Sequence, residues 1–309
     1  MIKLVSGEAI RHLDRRTEEL GMTTLLLMEA AGRGAAEAIR RAYPGPARGR
    51  VVALAGKGGN GGDALCAARW LGLWGADVQA ILLGEPRGAA VDQASAFSAS
   101  FPGRLVRVET EEELAPMREE ILGADLLIDG ILGVGVKGKA RGLARSAIEL
   151  LAEVSSPVVA IDIPSGLPSD SGEVPGPAVR ADLTLTMGAP KPCLLLPPAA
   201  ELAGEVEIIE IPYPPALWEE ITPLASVLER EDVARLLPPR PRFGHKGTFG
   251  KVLWWAGRWG WPGRRPWPPR PPSGPGPDWS TWQCPSPSTR WWRVRPGRPS
   301  PTPWPPGRG

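Results

Sequence analysis

Apolar positions change their spacing again and again along the first 215 residues, and the changes sketch an α/β chain. AIRHLDRRTEEL, within residues 1–22, reads as a polar helix. TTLLLMEAAGRGAAEAIRRAY (23–43) repeats apolar residues at three and four, the period of a longer helix, and Pro44-Gly45-Pro46 stops it. RVVALA (50–55) is a short apolar run typical of a buried strand. A glycine cluster follows, and then a helix predicted from Asp63 through Trp74. Further strands are predicted at 77–83, 105–108, 125–128, 158–163, 182–187 and 205–211. Thr110-Glu111-Glu112-Glu113 is a capping-box pattern that opens a helix to about Leu122, and 141–154 reads as another. Strands alternating with helices predict a mainly parallel sheet covered on both faces, a three-layer αβα sandwich. Residues 212–223 look like a linker, 227–237 like one more short helix, and Lys251-Val252-Leu253 like the start of a strand. No internal repeat of 20–50 residues is present.

Composition adds a break near residue 253. Residues 254–309 hold 10 of the 13 tryptophans and 16 of the 37 prolines, and Trp, Pro, Gly and Arg make up 43 of those 56 residues. The segment carries nine arginines against the single acid Asp278, so the net +2 of the chain belongs to its tail and the remainder is acidic. Reading the whole chain as a basic, nucleic-acid-seeking protein would be an artefact of averaging. No run approaches the ~20 apolar residues of a membrane span, and the N-terminus has no apolar secretory core. Three scattered cysteines (Cys66, Cys193, Cys284) suit neither a disulfide framework nor a zinc site. A cytoplasmic protein with no membrane partner is expected.

The candidate chemistry sits at strand ends. VVALA runs into Gly56-Lys57-Gly58-Gly59-Asn60-Gly61-Gly62-Asp63 ahead of a helix. Glycines let the backbone approach a ligand closely, and exposed N–H groups at a helix start favour an anion. The turn reads as a phosphate or dinucleotide cradle, although it is neither the usual dinucleotide fingerprint nor a P-loop. A tight turn using glycine for geometry alone is the plainer reading, and Asp63 could simply cap its helix. Two more strands end in an acid followed by a glycine-bearing loop: Asp129, then Gly133, Gly135 and Gly138; and Asp162, then Pro164-Ser165-Gly166. Ligands of doubly wound sheets lie beyond the carboxyl ends of the strands, so the three loops are expected to share one crevice. Asn60, Asp129 and Ser165 offer oxygens suited to a hard cation.

These residues resemble the NAD(P)H-hydrate epimerase family, the YjeF N-terminal domain. The likeness covers about residues 1–215 and rests on LLLMEAAGR (25–33), GKGGNGGDALCAARWL (56–71), DGILGVGVKG (129–138), VVAIDIPSGL (158–167) and ADLTLTMGAPKPCLL (181–195). The resemblance implies a Rossmann-like fold, a homodimer, and one potassium ion per subunit held by Asn60, Asp129 and Ser165. It implies that Gly59, Asn60, Gly61, Gly62 and Asp63, together with Gly133, Val134, Gly135, Val136, Lys137, Gly138 and Lys139, bind hydrated NADH or NADPH, with Asp162 at the nicotinamide end. The implied activity is interconversion of the R and S epimers of these damaged cofactors, which carry a hydroxyl at C6 of the nicotinamide ring. Gly59, Ala30 and Pro168 depart from the family, which usually has Asn, Asn and Asp there.

C6 bears both a hydroxyl and ring nitrogen N1, so it is a carbinolamine that can lose and regain its configuration by reversible ring opening or by loss of hydroxide. Either route moves a proton at one oxygen, which a placed carboxylate can serve. Asp162 is the expected acid/base, with Lys137 and Lys191 as electrostatic helpers or phosphate partners. His12 and His245 are the only histidines and lie in none of these loops.

Residues 227–253 resemble the start of the ADP- or ATP-dependent NAD(P)H-hydrate dehydratase, a ribokinase-like domain. The sequence then departs into Trp, Pro, Gly and Arg. Suitable synonymous codons read one nucleotide earlier turn the stretch from Trp254 into VVGGSVGMAG, the strand and glycine turn that a dehydratase needs. The expected organisation is therefore an epimerase domain at 1–215, a linker and truncated dehydratase start at 216–253, and a disordered, out-of-frame tail at 254–309 without dehydratase (lyase) activity. The alternatives are a non-catalytic nucleotide-binding module on the same fold, a tail that binds single-stranded nucleic acid or an acidic membrane, and an ordinary oxidoreductase, which would lack its usual glycine signature.

Overall fold

The computed structural model describes residues 1–135, 138–237 and 243. The outer part of the Gly133–Lys139 loop (Val136, Lys137), the strand expected at 251–253 and the 254–309 tail lie outside them. Met1–Leu228 form one compact unit among these residues, and Glu229 onward belongs to a second. Within the second, the short helix expected at 227–237 is α9, Arg230–Leu236.

Seven parallel strands form the central sheet: β2 (Arg50–Gly56), β3 (Asp77–Leu83), β4 (Leu105–Val108), β5 (Leu126–Gly130), β6 (Val158–Ile161), β7 (Leu183–Met187) and β8 (Glu205–Ile209). Their spatial order is β4-β3-β2-β5-β6-β7-β8, every neighbouring pair parallel. The chain winds outward from β2 to β4, returns to β5 beside β2, and then winds the other way. The switch point between β2 and β5 is where a doubly wound sheet opens a crevice. β2, β5, β6 and β7 are almost wholly buried, as strands covered on both faces must be. One apolar layer packs them against α2 (Thr24–Ala42), α3 (Gly59–Leu73) and α4 (Ala89–Ser100). The opposite layer packs them against α5 (Glu111–Leu114), α6 (Arg118–Leu122) and α7 (Gly142–Leu151).

Several elements differ from the sequence-based expectation. α1 covers Gly7–Glu19, capped by Ser6 Oγ accepting from Ala9 N at 3.2 Å, and a short strand β1 (Ile2–Leu4) precedes it. The helix from Thr110 ends after one turn and restarts at Arg118, because Pro116 cannot donate inside a helix. α4 had no periodic signal strong enough to announce it. The expected linker at 212–223 contains helix α8 (Pro215–Glu220), and strand β9 (Ala225–Val227) follows. β9 pairs antiparallel with β1, Ile2 opposite Val227, and α8 packs on α1 through Leu217 and Ile221 beside Ile10, Leu13 and Tyr213. The packed unit therefore runs past residue 215, to Leu228.

The LLLMEAAGR stretch has a structural use. Glu29 accepts from Arg69 Nη2 at 2.6 Å and from Trp70 Nε1 at 2.7 Å, clasping α2 to α3. A Cβ on Gly32 would stand 2.4 Å from Cys66 Cβ, so only glycine lets these helices approach so closely.

Candidate active site

A cleft of about 480 Å³ opens at the switch point. Its walls come from α1, α2, the loops after β2 and β5, Asp162 after β6, Met187 at the end of β7, and Ile211 and Tyr213 after β8. Of the residues expected to meet the dinucleotide, Gly59, Asn60, Gly61, Asp63, Gly133, Val134, Gly135 and Asp162 line it. Gly62, Gly138 and Lys139 do not. Gly62 faces α2 and α4, where a Cβ would meet Met28 Sδ at 2.5 Å and Ala90 Cα at 3.2 Å, and the Lys139 stem lies against Gly176.

The glycine turn is tighter than its sequence suggests. α3 begins at Gly59, four residues before the expected Asp63, and its cap is Gly58, which provides no capping side chain. Asp63 is therefore not a cap. It lies inside the helix with its carboxyl turned to the cleft. Close packing sets this geometry: a Cβ on Gly61 would fall 1.8 Å from Gly56 O, and one on Gly56 would fall 1.9 Å from Ile131 O. Gly59 has open space around it, so the departure from the family's asparagine leaves no packing defect. Backbone N–H groups of the first helical turn thus face the cleft without a side-chain cap, an arrangement suited to an anion.

Asn60, Asp129 and Ser165 are tied together around Leu132 beneath the cleft. Asn60 Nδ2 donates to Leu132 O at 2.8 Å. Leu132 N donates to Ser165 Oγ at 2.8 Å, and Ser165 Oγ also reaches Leu132 O at 3.1 Å. Ser165 donates to both Asp129 oxygens, through N at 2.8 Å and Oγ at 2.5 Å. Burial pushes the Asp129 carboxyl up to about 6, against the pull of its bonds from Ser165 and Ile131. Asn60 Oδ1 is buried with no hydrogen-bond partner among the described residues. An orphaned buried oxygen is costly. Here it sits with a carboxylate, a hydroxyl and a carbonyl, an all-oxygen set that fits a hard cation. Among the described residues no group of three or more His, Cys, Asp or Glu is placed to hold a metal, so a site here would combine the one Asp129 carboxylate with neutral oxygens.

Asp162 follows β6 with φ +65°, the only non-glycine residue with positive φ among the described residues. Such strained positions cluster at functional sites. Its Oδ1 accepts from Met187 N at 3.0 Å and from Thr186 Oγ1 at 3.4 Å, and it forms an ion pair with Lys191 Nζ. Lys191 is fully buried and also donates to Thr186 Oγ1 at 3.0 Å and Met187 O at 2.9 Å. Lys191 therefore cannot meet a phosphate in the cleft, contrary to one expected role, and instead anchors Asp162. Every side-chain bond to Asp162 falls on Oδ1, which leaves Oδ2 for the cleft.

Asp14 of α1 and Tyr213 after β8 carried no motif. Tyr213 Oη donates to Asp14 Oδ1 at 2.5 Å, and both line the cleft. The available signal was Asp14's place on the buried stripe Ile10, Leu13, Thr17, where an acid is unusual.

No described helix is long and apolar enough to cross a membrane. The sequence matches the family described as YjeF-related protein N-terminus over residues 24–193. It is 42% identical over 222 residues to the NAD(P)H-hydrate epimerase of Pirellula staleyi, covering 68% of this chain and 95% of that protein. It is 36% identical over 252 residues to the bifunctional NAD(P)H-hydrate repair enzyme Nnr of Hyperthermus butylicus, covering 81% of this chain and 45% of that protein. The chain spans about half the length of such bifunctional relatives. The crystal structure of yeast YNL200c (ynu0) superposes with a TM-score of 0.56 at 26% identity, over 62% of this chain and 83% of that one. With the switch-point cleft built from the very segments that match, the chain belongs to the YjeF-related N-terminal family.

Proposed function

We propose that the chain is an NAD(P)H-hydrate epimerase, an isomerase of nicotinamide-nucleotide repair, and that its substrate is hydrated NADH or NADPH. The observation that carries this reading is the meeting of the glycine turn, the Ile131–Gly135 loop and Asp162 in one cleft. The N-terminus of α3 suits the diphosphate, and Gly133, Val134 and Gly135 would contact the nucleotide, with Val136 and Lys137 as further proposed contacts from the same segment. Asp162 would stand at C6, its Oδ1 locked by Lys191 and its Oδ2 free to take and return the hydroxyl proton.

Asn60, Asp129 and Ser165 would hold one potassium ion per subunit, supported by the orphaned Asn60 Oδ1. A bound cation would offset the buried Asp129 charge and fix the β5 loop that forms one wall. A homodimer in the cytoplasm, without nucleic-acid or membrane partners, is the accompanying proposal. So is the lack of dehydratase activity, because the sequence leaves the dehydratase pattern after Leu253.

The test is epimer exchange on hydrated NADH, followed by resolving the two epimers. The full chain exchanges them. Asp162→Asn alone strands the Lys191 charge, so it is compared with Asp162→Asn/Lys191→Met, which keeps the buried charge balanced. Exchange at the normal rate by a folded double variant would end the Asp162 assignment, and no exchange by the full chain would end the functional reading.

A further inference from the structure

Asp162 is one of three carboxylates lining the same cleft, with Asp14 and Asp63. The ammonium beside them is that of Lys191, already paired with Asp162. Arg11 and Lys57 also line the cleft, but the cations that act on Asp14 are Lys191 and Arg15, and three half-buried or buried carboxylates cannot all ionise cheaply there, because like charges in a poorly solvated site disfavour one another. Of the two that do not hold Lys191, Asp14 has a partner fixed for it: the Tyr213 hydroxyl occupies Oδ1 at 2.5 Å and leaves the second oxygen for the cleft. Asp14 comes from α1 and Asp162 from the end of β6, so the two reach the cleft from different elements.

We propose that Asp14, oriented by Tyr213, is the second proton-transfer group of this site and works with Asp162 on the carbinolamine. The proposal rests on the epimerase reading above. Ring opening needs a base at the C6 hydroxyl and an acid at N1. Asp162 Oδ2 takes the hydroxyl proton as C6=O forms and the C6–N1 bond breaks, and the electron pair of that bond stays on N1. Asp14 gives its proton to N1. Rotation about C5–C6 presents the other face of the aldehyde. N1 then attacks C6, returns its proton to Asp14, and the new alkoxide takes the proton back from Asp162. Both groups end as they began, and nothing is oxidised or reduced.

The protonation this requires agrees with the surroundings. Burial raises the Asp14 carboxyl above its ordinary value, and the Asp162 charge adds to the rise. The Tyr213 hydrogen bond, Lys191 and Arg15 pull it down. Asp63, also raised mainly by burial, feels Asp14 and Asp162 in turn.

The experiment compares the full chain with Asp14→Asn, Asp14→Glu and Tyr213→Phe in the exchange assay across pH 5–9, with thermal unfolding as the check on folding. Asp14→Asn should lose 100-fold or more, on the order expected for a lost general acid, with its effect in kcat rather than KM. Asp14→Glu should recover part of it. Tyr213→Phe removes a donor to the carboxylate, so its acidic-group limb should move to higher pH with a smaller loss of rate. A merely structural Tyr213 would lower stability and leave the limb in place. The carboxyl of Asp14 is also titrated by carbon NMR in the full chain and in Tyr213→Phe, a readout that needs no turnover. An active chain whose folded Asp14→Asn variant keeps its rate, or an Asp14 that titrates as an ordinary surface acid, overturns the proposal while the epimerase reading stands. A full chain with no exchange at all overturns both.

Discussion

Lys191 shows most sharply what single residues do here. A fully buried ammonium is tolerable only with its partners, and Asp162 supplies the charge. Lys191→Met alone should cost about 3–5 kcal/mol, because it leaves Asp162 uncompensated; urea unfolding measures it, and the Asp162→Asn/Lys191→Met pair should recover part of that loss. Asp129 makes a pH prediction. Its folded-state value of about 6 lies above its ordinary 3.8, so the unfolded chain ionises it first. Its contribution to stability is then greatest below pH 4 and declines as pH rises through 6, by about 3 kcal/mol at most without a cation. Potassium should reverse this decline. The melting temperature in KCl should exceed that in choline chloride at equal ionic strength, by a margin that widens from pH 4 to pH 7 and disappears in Asp129→Asn. Residue by residue, glycine-rich sequence at the strand ends singled out Asn60, Asp129, Asp162 and Ser165 as candidates, although Asn60 lies in the first turn of α3 and Asp129 within β5. Asp14 and Tyr213 were not legible, since their meeting depends on α1 packing beside a segment 199 residues away.

At the scale of elements, the strands of the seven-stranded sheet and the starts of α2, α5 and α7 were readable, whereas the start of α3, all of α4 and the short β1 and β9 were not. Buried parallel strands announce themselves as apolar runs, and β2, β3 and β4 fall where the spacing predicts. α3 begins inside the glycine cluster because packing, not helical propensity, decides there: Gly61 and Gly130 let the helix sit directly on the strand ends, and Gly56 lets the β2 and β5 ends approach each other. α4 escaped notice because its buried face, Ala90, Gln93, Ala94 and Phe97, is mostly small or polar. The glycines of the turn should consequently differ in tolerance. Gly61→Ala forces a methyl onto Gly56 O and should destabilise by about 1–3 kcal/mol. Gly59→Asn enters open space and should change stability by no more than about 0.5 kcal/mol. Thermal unfolding of the two variants side by side separates a packing role from a purely ligand-facing one.

On the scale of the whole molecule, the doubly wound sheet and a crevice at its strand ends were legible from alternation alone, whereas the closing of the unit was not. The polar stretch after residue 212 looks like a linker because α8 and β9 are short and expose much of their surface. A chain ended after residue 215 should melt several degrees below one ended after 228, because it loses Leu217 and Ile221 from the cluster around Tyr213 and the partner of β1. Differential scanning calorimetry of the two lengths checks this.

The pairing of Ile2 with Val227 also has a consequence during synthesis. β1 is translated well before β9, the only strand it pairs with among the described residues. Until Val227 has been translated β1 has no strand partner, and α1 is held by Val5 N donating to Pro190 O, by Gly7 N donating to Asp170 Oδ1 and by its packing beside Leu27 and Ala189. The seven-stranded sheet and the residues that line the cleft, all between Ile10 and Tyr213, can assemble earlier, and the β1–β9 pair is the last contact the unit can make.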